Sequence, residues 1–318
     1  MPNNIHLRYS IIILYVLLVI GCSESVGFEN STAPELPLNI PDKKIKALRK
    51  LVDKNLQNRF EKQLRQNKTW NTLIKKKKMA VGLVDLSNVN AVKYAHVNGD
   101  VMMYAASLPK LAILLAAFQS FEDGILKETP EILHDLQFMI SVSDNEAATR
   151  MIDRLGFQRI ETVLRDPRYN LYELSSGGGL WVGKRYAMSG KRYPDPLMNL
   201  SHGATVTQVS RFYYLLAMGK LVSRERSKQM LDILVDPELH HKFVKILDEV
   251  APDADIYRKS GTWKNWHSDS VLVWGPIWRR YIVVALLEDP NGKQICQDLI
   301  IVIEKILQSQ LTLQISNN

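Results

Sequence analysis

Residues 107–118 read SLPKLAILLAAF, and this stretch decides the architecture around it. All positions from Leu111 to Phe118 are apolar, so a helix here has no polar face and is expected to be buried on every side. Pro109 suits the first turn of that helix, and Ser107 is a typical residue at its start. A helix buried all round needs other elements packed about it, which predicts a large core.

On either side of this helix, helical and strand patterns of apolar residues follow one another along the chain. Upstream, apolar residues at helical spacing predict a helix from Asp42 to about Gln66. Downstream, helical patterns dominate to about Leu247, and a closing helix runs from Lys293 to about Leu307. Strands are predicted at Met79–Leu86, Val92–Val97, Val271–Trp274 and Tyr281–Leu287.

The fold class we expect from this order is α/β (α+β). An antiparallel sheet, built from both ends of the chain and flanked by helices, would carry an inserted all-α lobe. The α/β lobe would take about residues 42–104 and 250–318, and the helical lobe about 105–249.

The first 21 residues have the pattern of an export signal. Arg8 precedes the apolar run Ile11–Ile20, which is too short to span a bilayer comfortably and ends at Gly21-Cys22. This order resembles the bacterial lipoprotein signal, which implies lipidation of Cys22; an ordinary cleaved signal peptide with an incidental cysteine is the alternative. Either way we expect an exported protein of the periplasm or cell surface, anchored to the membrane if Cys22 carries lipid. Residues 22–41, with three prolines, would be a flexible tether.

Composition and charge exclude several classes of protein. A chain of 318 residues with 46% hydrophobic residues is neither a disordered tail nor a collagen-like fibre. Two cysteines cannot supply a disulfide scaffold, and if Cys22 is lipidated only Cys296 remains, so an internal disulfide is impossible. The net charge of +8 includes basic clusters at Lys43–Lys50 and Lys75–Lys78, which fit a solvated face or, alternatively, a surface for anionic lipid.

The expected export and the spacing of histidines and cysteines also limit which partners and cofactors we expect. Nucleic acid is not an expected partner of an exported protein. The seven histidines have neither a HExxH run nor a cysteine at metal-ligand spacing, so we predict no metal site and no cofactor.

Ser107 and Lys110 could form a nucleophile and base without histidine. Residues three apart lie on one face of a helix, so the hydroxyl and the amine can meet. A lysine at the mouth of a buried helix is partly desolvated, which lowers its pKa and lets the neutral amine accept the serine proton. The structural alternative is a helix cap beside a lysine whose amine reaches solvent.

Two further groups of polar residues each have a structural and a functional interpretation. Ser143-Asp144-Asn145 precedes a predicted helix and is typical of a cap, but Ser143 could also relay a proton to a leaving nitrogen and Asn145 could bind a substrate amide. Lys259-Ser260-Gly261-Thr262 could be a charged edge strand, or it could present a cation and a hydroxyl to a carboxylate while Gly261 allows close approach of the backbone.

In this order the three groups match Ser-x-x-Lys, Ser-Asp-Asn and Lys-Ser/Thr-Gly. From about Asp42 to its end, the chain therefore resembles the class A β-lactamase-like serine hydrolases, the superfamily of β-lactamases and penicillin-binding proteins. The resemblance implies a β-lactamase-like fold in which Ser107 is acylated and Lys110 acts as its base or proton relay. It also implies an oxyanion hole made by the backbone N–H groups of Ser107 and Thr262, a carboxylate site at Lys259 and Ser260, and proton transfer by Ser143.

The chain departs from the family in the residue that frees the acyl-enzyme. Class A β-lactamases use a loop glutamate four residues before an asparagine, and no glutamate here has that partner. Asp166 with Asn170 and Asp195 with Asn199 have the spacing but a shorter side chain, and Glu173 has Gly177 in place of the asparagine. These three acids are candidate deacylation bases, although loop acids commonly cap turns or pair with basic residues.

The function we expect is acyl-enzyme formation with β-lactams and hydrolysis of the ring, with the rate of deacylation in doubt. One alternative is a penicillin-binding, D,D-peptidase-like or esterase enzyme. Another is a non-catalytic envelope lipoprotein that binds peptidoglycan or a protein partner. The expected ligand is a β-lactam or a small molecule resembling a peptidoglycan stem, and we expect a monomer.

Overall fold

The computed structural model of the protein describes residues 35–316, with side chains described to residue 309. The proposed signal peptide, the Cys22 lipidation site and most of the predicted tether lie outside the described residues. Within them, the strands run in chain order as β1 (Met79–Asp85), β2 (Lys93–Val97), β3 (Met103–Tyr104), β4 (Tyr172–Glu173), β5 (Gly178–Gly179), β6 (Trp181–Val182), β7 (His202–Ala204), β8 (Asp255–Trp263), β9 (Trp266–Trp274) and β10 (Arg280–Glu288).

The helices lie in or beside the predicted helical regions, but three of those described were not predicted as separate helices and others differ at their ends. They are α1 (Lys54–Gln66), α2 (Lys68–Lys75), α3 (Lys110–Glu122), α4 (Pro130–Ser141), α5 (Asn145–Leu155), α6 (Phe157–Arg165), α7 (Val206–Ala217), α8 (Arg224–Leu234), α9 (Phe243–Val250) and α10 (Gly292–Ser316).

The main sheet joins the two ends of the chain, as predicted. Its strand order is β2-β1-β10-β9-β8, and all neighbours are antiparallel. The inserted block is mainly helical but also contains the short strands β4 to β7, which pair in two small sheets together with β3. The mixed fold class with an antiparallel sheet is therefore confirmed.

The sheet lies between two helical layers because its strands are apolar on both faces. In β1, Val81 and Leu83 pack in one core with α1, α2, α9 and α10. Ala80 and Val84 pack in the other core with α3 to α8. Central strands covered on both faces have no polar side to expose, which explains their nearly continuous hydrophobic sequence.

The predicted helix from Asp42 begins later than expected. Two short 3₁₀ turns, Asp42–Lys44 and Leu48–Leu51, precede α1. The carboxylate of Asp53 accepts a 2.8 Å hydrogen bond from the Leu56 amide, and this N-cap starts the α-helix at Lys54. The periodicity upstream reflects packing of the 3₁₀ turns against the core rather than a continuous helix.

The central helix α3 is buried along almost its whole length, as its composition predicts. Every residue from Lys110 to Phe121 is buried. The described residues belong to one compact unit. None of the helices in this part of the chain combines the length and apolarity needed to cross a bilayer.

Candidate active site

Ser107 lies in a tight turn between β3 and α3. Ala106 adopts a left-handed φ of 49°, a conformation that costs energy for a residue with a side chain and persists only where its surroundings enforce it. The Leu108 amide donates to Ala105 O at 3.0 Å, and the Lys110 amide donates to Ser107 O at 3.2 Å. The turn thus places Ser107 one helical turn before Lys110, with its side chain partly exposed.

Lys110 is fully buried, and its ammonium group is directed at the start of α5. Its Nζ donates to Ser143 O at 2.6 Å, to Asn145 Oδ1 at 2.8 Å and to Asp144 O at 3.0 Å. Burial lowers the pKa of Lys110 to about 7, and the charge of Asp144 opposes part of that shift. These three oxygens accept all three N–H donors of the ammonium group. No hydrogen bond joins Lys110 Nζ to Ser107 Oγ in the described chain.

Ser143 connects the two lysines of the site. Its Oγ accepts a 2.9 Å hydrogen bond from Lys259 Nζ and lies 3.5 Å from Lys110 Nζ. The backbone at Ser143 has a φ of 62°, which turns the chain sharply between α4 and α5. Asp144 caps α5 by accepting from the Ala147 amide at 2.6 Å, so the helix cap and the polar cluster share this segment.

Lys259 brings the third group of predicted residues to the same place from β8. It is 1% exposed, and its Nζ donates to Ser260 O at 3.0 Å as well as to Ser143. Burial, followed by the charge of Lys110, lowers its pKa well below the ordinary value for lysine. Two lysines therefore share one buried corner through the hydroxyl of Ser143.

Gly261 is needed for the contact between β8 and the turn at Ser107. A Cβ atom at this position would come within 2.5 Å of the Ser107 amide nitrogen. Only glycine allows the strand to approach so closely. The buried Ser260 and the exposed Thr262 lie on either side of it at the free edge of the sheet. The structure thus brings together Ser107, Lys110, Ser143, Asn145, Lys259, Ser260, Gly261 and Thr262, from three regions that are distant in sequence.

The three candidate deacylation bases are occupied elsewhere. Asp166 pairs with Arg168 at 2.7 Å, just after α6. Glu173 binds Arg49 at 2.5 Å and the Gln208 amide at 2.7 Å. Neither carboxylate forms a hydrogen bond with Ser107, Lys110 or Ser143 in the described chain.

Asp195 is the most deeply placed of the three acids. It is 2% exposed and accepts from the amides of residues 197, 198 and 200 and from the Tyr172 hydroxyl, at 2.7–3.0 Å. A carboxylate with four donors stabilises its own loop and has little freedom to activate a water molecule.

Two aromatic residues complete the corner beside Lys110, and neither was predicted from the sequence. The ring of Tyr186 lies 4.5 Å from Lys110 Nζ and stacks on His202, with ring centroids 4.2 Å apart. Burial and the nearby charge of Lys110 lower the pKa of His202 to about 3, so its imidazole is neutral at physiological pH. Tyr186 comes from a loop without periodic pattern, so no sequence signal could have found it.

Comparison with known proteins places the chain in a family and identifies its fold. The model of a family described as the β-lactamase enzyme family matches residues 127–308, which include Ser143 and Lys259 but not Ser107 or Lys110. No curated protein sequence gives a significant match to the chain.

Among the solved structures with the same fold are β-lactamases and PBP-A. The β-lactamase from Sphaerobacter thermophilus DSM 20745 is 17% identical, with a TM-score of 0.56 over 72% of this chain and 89% of that one. PBP-A is 18% identical, with a TM-score of 0.58 over 86% of this chain and 99% of that one. An ancestral (GNCA) class A β-lactamase is 17% identical, with a TM-score of 0.55 over 78% of this chain and 99% of that one.

At these identities the solved structures establish the fold, whereas the family model covers more than half of the chain. Together with the convergence of the three polar groups, these findings identify the chain as a member of the β-lactamase enzyme family.

Proposed function

We propose that the protein is a serine acyl-transfer enzyme that forms an acyl-enzyme with β-lactams at Ser107. The observation that carries this proposal is the position of Ser143 Oγ, 2.9 Å from Lys259 Nζ and 3.5 Å from Lys110 Nζ, beside the turn that holds Ser107. A capped helix and a charged edge strand would not by themselves require two buried lysines to share one hydroxyl.

The proposed acylation step uses these groups after one rearrangement, in which Lys110 Nζ loses its proton and leaves one of its three oxygen partners to accept from Ser107 Oγ. Ser107 Oγ attacks the carbonyl carbon of the lactam, and its proton passes to the neutral amine of Lys110. The amide N–H groups of Ser107 and Thr262 stabilise the oxyanion of the tetrahedral intermediate. The C–N bond then breaks, and the nitrogen receives a proton through Ser143, which leaves an ester at Ser107. Lys259 and Ser260 bind the carboxylate of the substrate.

The acyl-enzyme is proposed to be long-lived, which favours a penicillin-binding type of activity over fast β-lactam hydrolysis. The specific observation is that Asp166, Glu173 and Asp195 each bind other protein groups. One of the similar structures is an acyl-enzyme complex of a PBP-A mutant with penicillin G, a trapped state of the kind proposed here. Hydrolysis of the ring would then be slow, and transfer to another acceptor would be the alternative route for release.

The test is intact-protein mass spectrometry after incubation with penicillin G. The wild type should gain the mass of one penicillin, and Ser107→Ala should gain none. Ser189→Ala, which removes an exposed serine of the loop, is the matched control and should be labelled like the wild type. Equal labelling of wild type and Ser107→Ala would reject Ser107 as the nucleophile, and no labelling of the wild type would favour a binding protein.

Export and anchoring are proposed on the sequence alone. Cys22 would carry the lipid that holds the enzyme at the membrane. Incorporation of labelled palmitate into the wild type in a bacterial host, and its loss in Cys22→Ala, would be the expected result. Incorporation by both would exclude Cys22 as the lipidated residue.

A further inference from the structure

Each of the two proposed oxyanion donors belongs to a peptide group whose carbonyl oxygen is also bound. The Thr262 amide shares its peptide bond with the Gly261 carbonyl, and the Ser107 amide shares its peptide bond with the Ala106 carbonyl. Because a peptide group is planar, the contacts that hold each carbonyl also fix the direction of the N–H group in the same peptide.

Lys242 is the nearer of two side-chain donors to the first of these carbonyls, since Ser268 Oγ also donates to Gly261 O, at 3.3 Å. The Lys242 side chain is 1% exposed, and its Nζ donates to Gly261 O at 2.7 Å and to Ser268 O at 2.9 Å. Gly261 and Ser268 are register partners across β8 and β9, so the amine bridges the two strands and the Gly261 carbonyl points toward β9. In a trans peptide the N–H lies opposite the carbonyl, so the Thr262 N–H projects from the free edge of β8.

Tyr186 holds the second carbonyl. Its hydroxyl donates to Ala106 O at 3.2 Å, beside the left-handed turn that precedes Ser107. Burial raises the pKa of Tyr186 well above its ordinary value, so the hydroxyl keeps its proton and stays a donor. The Ser107 amide donates to no backbone carbonyl in the described chain, which leaves it available to a ligand.

We propose that Lys242 and Tyr186 are positioning residues that orient and polarise the two peptide groups of the oxyanion hole. A hydrogen bond accepted by a carbonyl oxygen draws electron density from the amide nitrogen and strengthens the N–H as a donor. The effect is larger when the donor is an amine in a buried site than when it is exposed to water. Both residues act through the backbone. The Tyr186 ring also contacts Lys110 Nζ, and Tyr186→Phe keeps that contact while it removes the hydroxyl.

This inference rests on the proposed acylation of Ser107, and it predicts a change in the acyl-enzyme itself. We would compare Lys242→Met and Tyr186→Phe with the wild type by infrared difference spectroscopy, using penicillin labelled with ¹³C at the lactam carbonyl. Weaker oxyanion donors leave the ester carbonyl less polarised, so its stretching band should move to higher wavenumber in both variants. The acylation rate constant should fall by about tenfold in each, less than the loss expected when a donor is removed outright.

Tyr94→Phe is the matched control for loss of a buried tyrosine hydroxyl. Tyr94 bonds to Thr207 at 3.0 Å, away from both peptide groups, so its band position and acylation rate should equal those of the wild type. If Lys242→Met does not fold, the test rests on Tyr186→Phe, which removes the hydroxyl donor to Ala106 O and keeps the ring.

An unshifted carbonyl band in folded Lys242 and Tyr186 variants would overturn the inference, even if the variants were less stable. A shift of equal size in Tyr94→Phe would also overturn it, since the effect would then be general. If the wild type forms no adduct at all, the proposed function has failed instead, so the two failures are distinguishable.

Discussion

The corner around Ser143 and the loop of residues 166–200 differ in whether their charged groups have partners of opposite charge or several hydrogen-bond donors. In the corner, Lys110 and Lys259 are buried without a salt bridge among the described residues, and their pKa values are lowered. In the loop and next to it, Asp166 and Glu173 pair with arginines, and Asp195 binds four donors. Buried charges left without a counter-ion favour chemistry, whereas neutralised charges stabilise a loop. The comparison predicts a site that acylates readily and deacylates slowly.

The largest effect should come from removing the amine of Lys110. In Lys110→Met we expect the acylation rate constant to fall by about a thousandfold, because the serine proton loses its acceptor. Stopped-flow measurement with nitrocefin would give the rate. Lys220→Met, at a lysine that pairs with Asp42 on the surface, is the control and should acylate normally. A fall of less than tenfold in folded Lys110→Met would show that Lys110 is not the base for acylation.

Gly261→Ala should have the next largest effect. The added methyl group would meet the Ser107 amide, so β8 and the turn would separate and one oxyanion donor would be displaced. We expect acylation to slow by about a hundredfold. Gly124→Ala is the control. Its Cβ would meet nothing within 4 Å, so its only cost is the backbone strain of a side chain at a φ of 67°. Normal acylation by Gly261→Ala would show that the close approach is not needed.

The pH dependence of acylation should report the lowered pKa of Lys110. An amine with a pKa of about 7 is protonated below that pH and neutral above it, and only the neutral form accepts a proton. The acylation rate constant should therefore rise by about tenfold per pH unit below 7 and level off above it. Thermal unfolding at each pH checks that the protein stays folded. A rate that is flat across this range would contradict a base with this pKa.

The smallest effects on chemistry should come from the loop acids. In Asp166→Asn, Glu173→Gln and Asp195→Asn we expect the acyl-enzyme lifetime to stay within about twofold of the wild type, because none of the three is free to activate water. Asp195→Asn should instead lower the free energy of unfolding by about 2 kcal/mol, since one carboxylate satisfies three amides and a hydroxyl.

Denaturant unfolding would separate the three variants, with Asp166→Asn closest to the wild type. A much longer acyl-enzyme lifetime in one variant alone would identify that acid as the deacylation base.

Much of the fold could be predicted because its signals are local. The apolar composition of residues 111–118 required a buried helix, and the strand patterns at the two ends of the chain required a shared sheet. The start of α1 was misplaced because 3₁₀ turns bury residues at nearly helical spacing. The helices α2, α6 and α9 were not predicted separately, because each is short and lies next to or close to a longer helical region.

The site was predictable only where it consists of recognisable groups of residues. Ser107, Ser143 and Lys259 were found by their order in the sequence. Lys242 and Tyr186 were not, because their importance depends on which carbonyl each side chain reaches after β8, β9 and the loop have packed. In the sequence Lys242 is one more basic residue after two histidines, and nothing there indicates that it bridges two strands.

The lifetime of the acyl-enzyme tests the central claim most directly. The wild type would be saturated with penicillin G, freed of excess ligand, and followed by intact-protein mass spectrometry. We predict that an adduct forms at Ser107 and persists for hours, because the proposed acylating groups converge while the three candidate bases, Asp166, Glu173 and Asp195, are each bound to other protein groups. Release of the adduct within seconds, with the protein returning to its unmodified mass, would contradict this account.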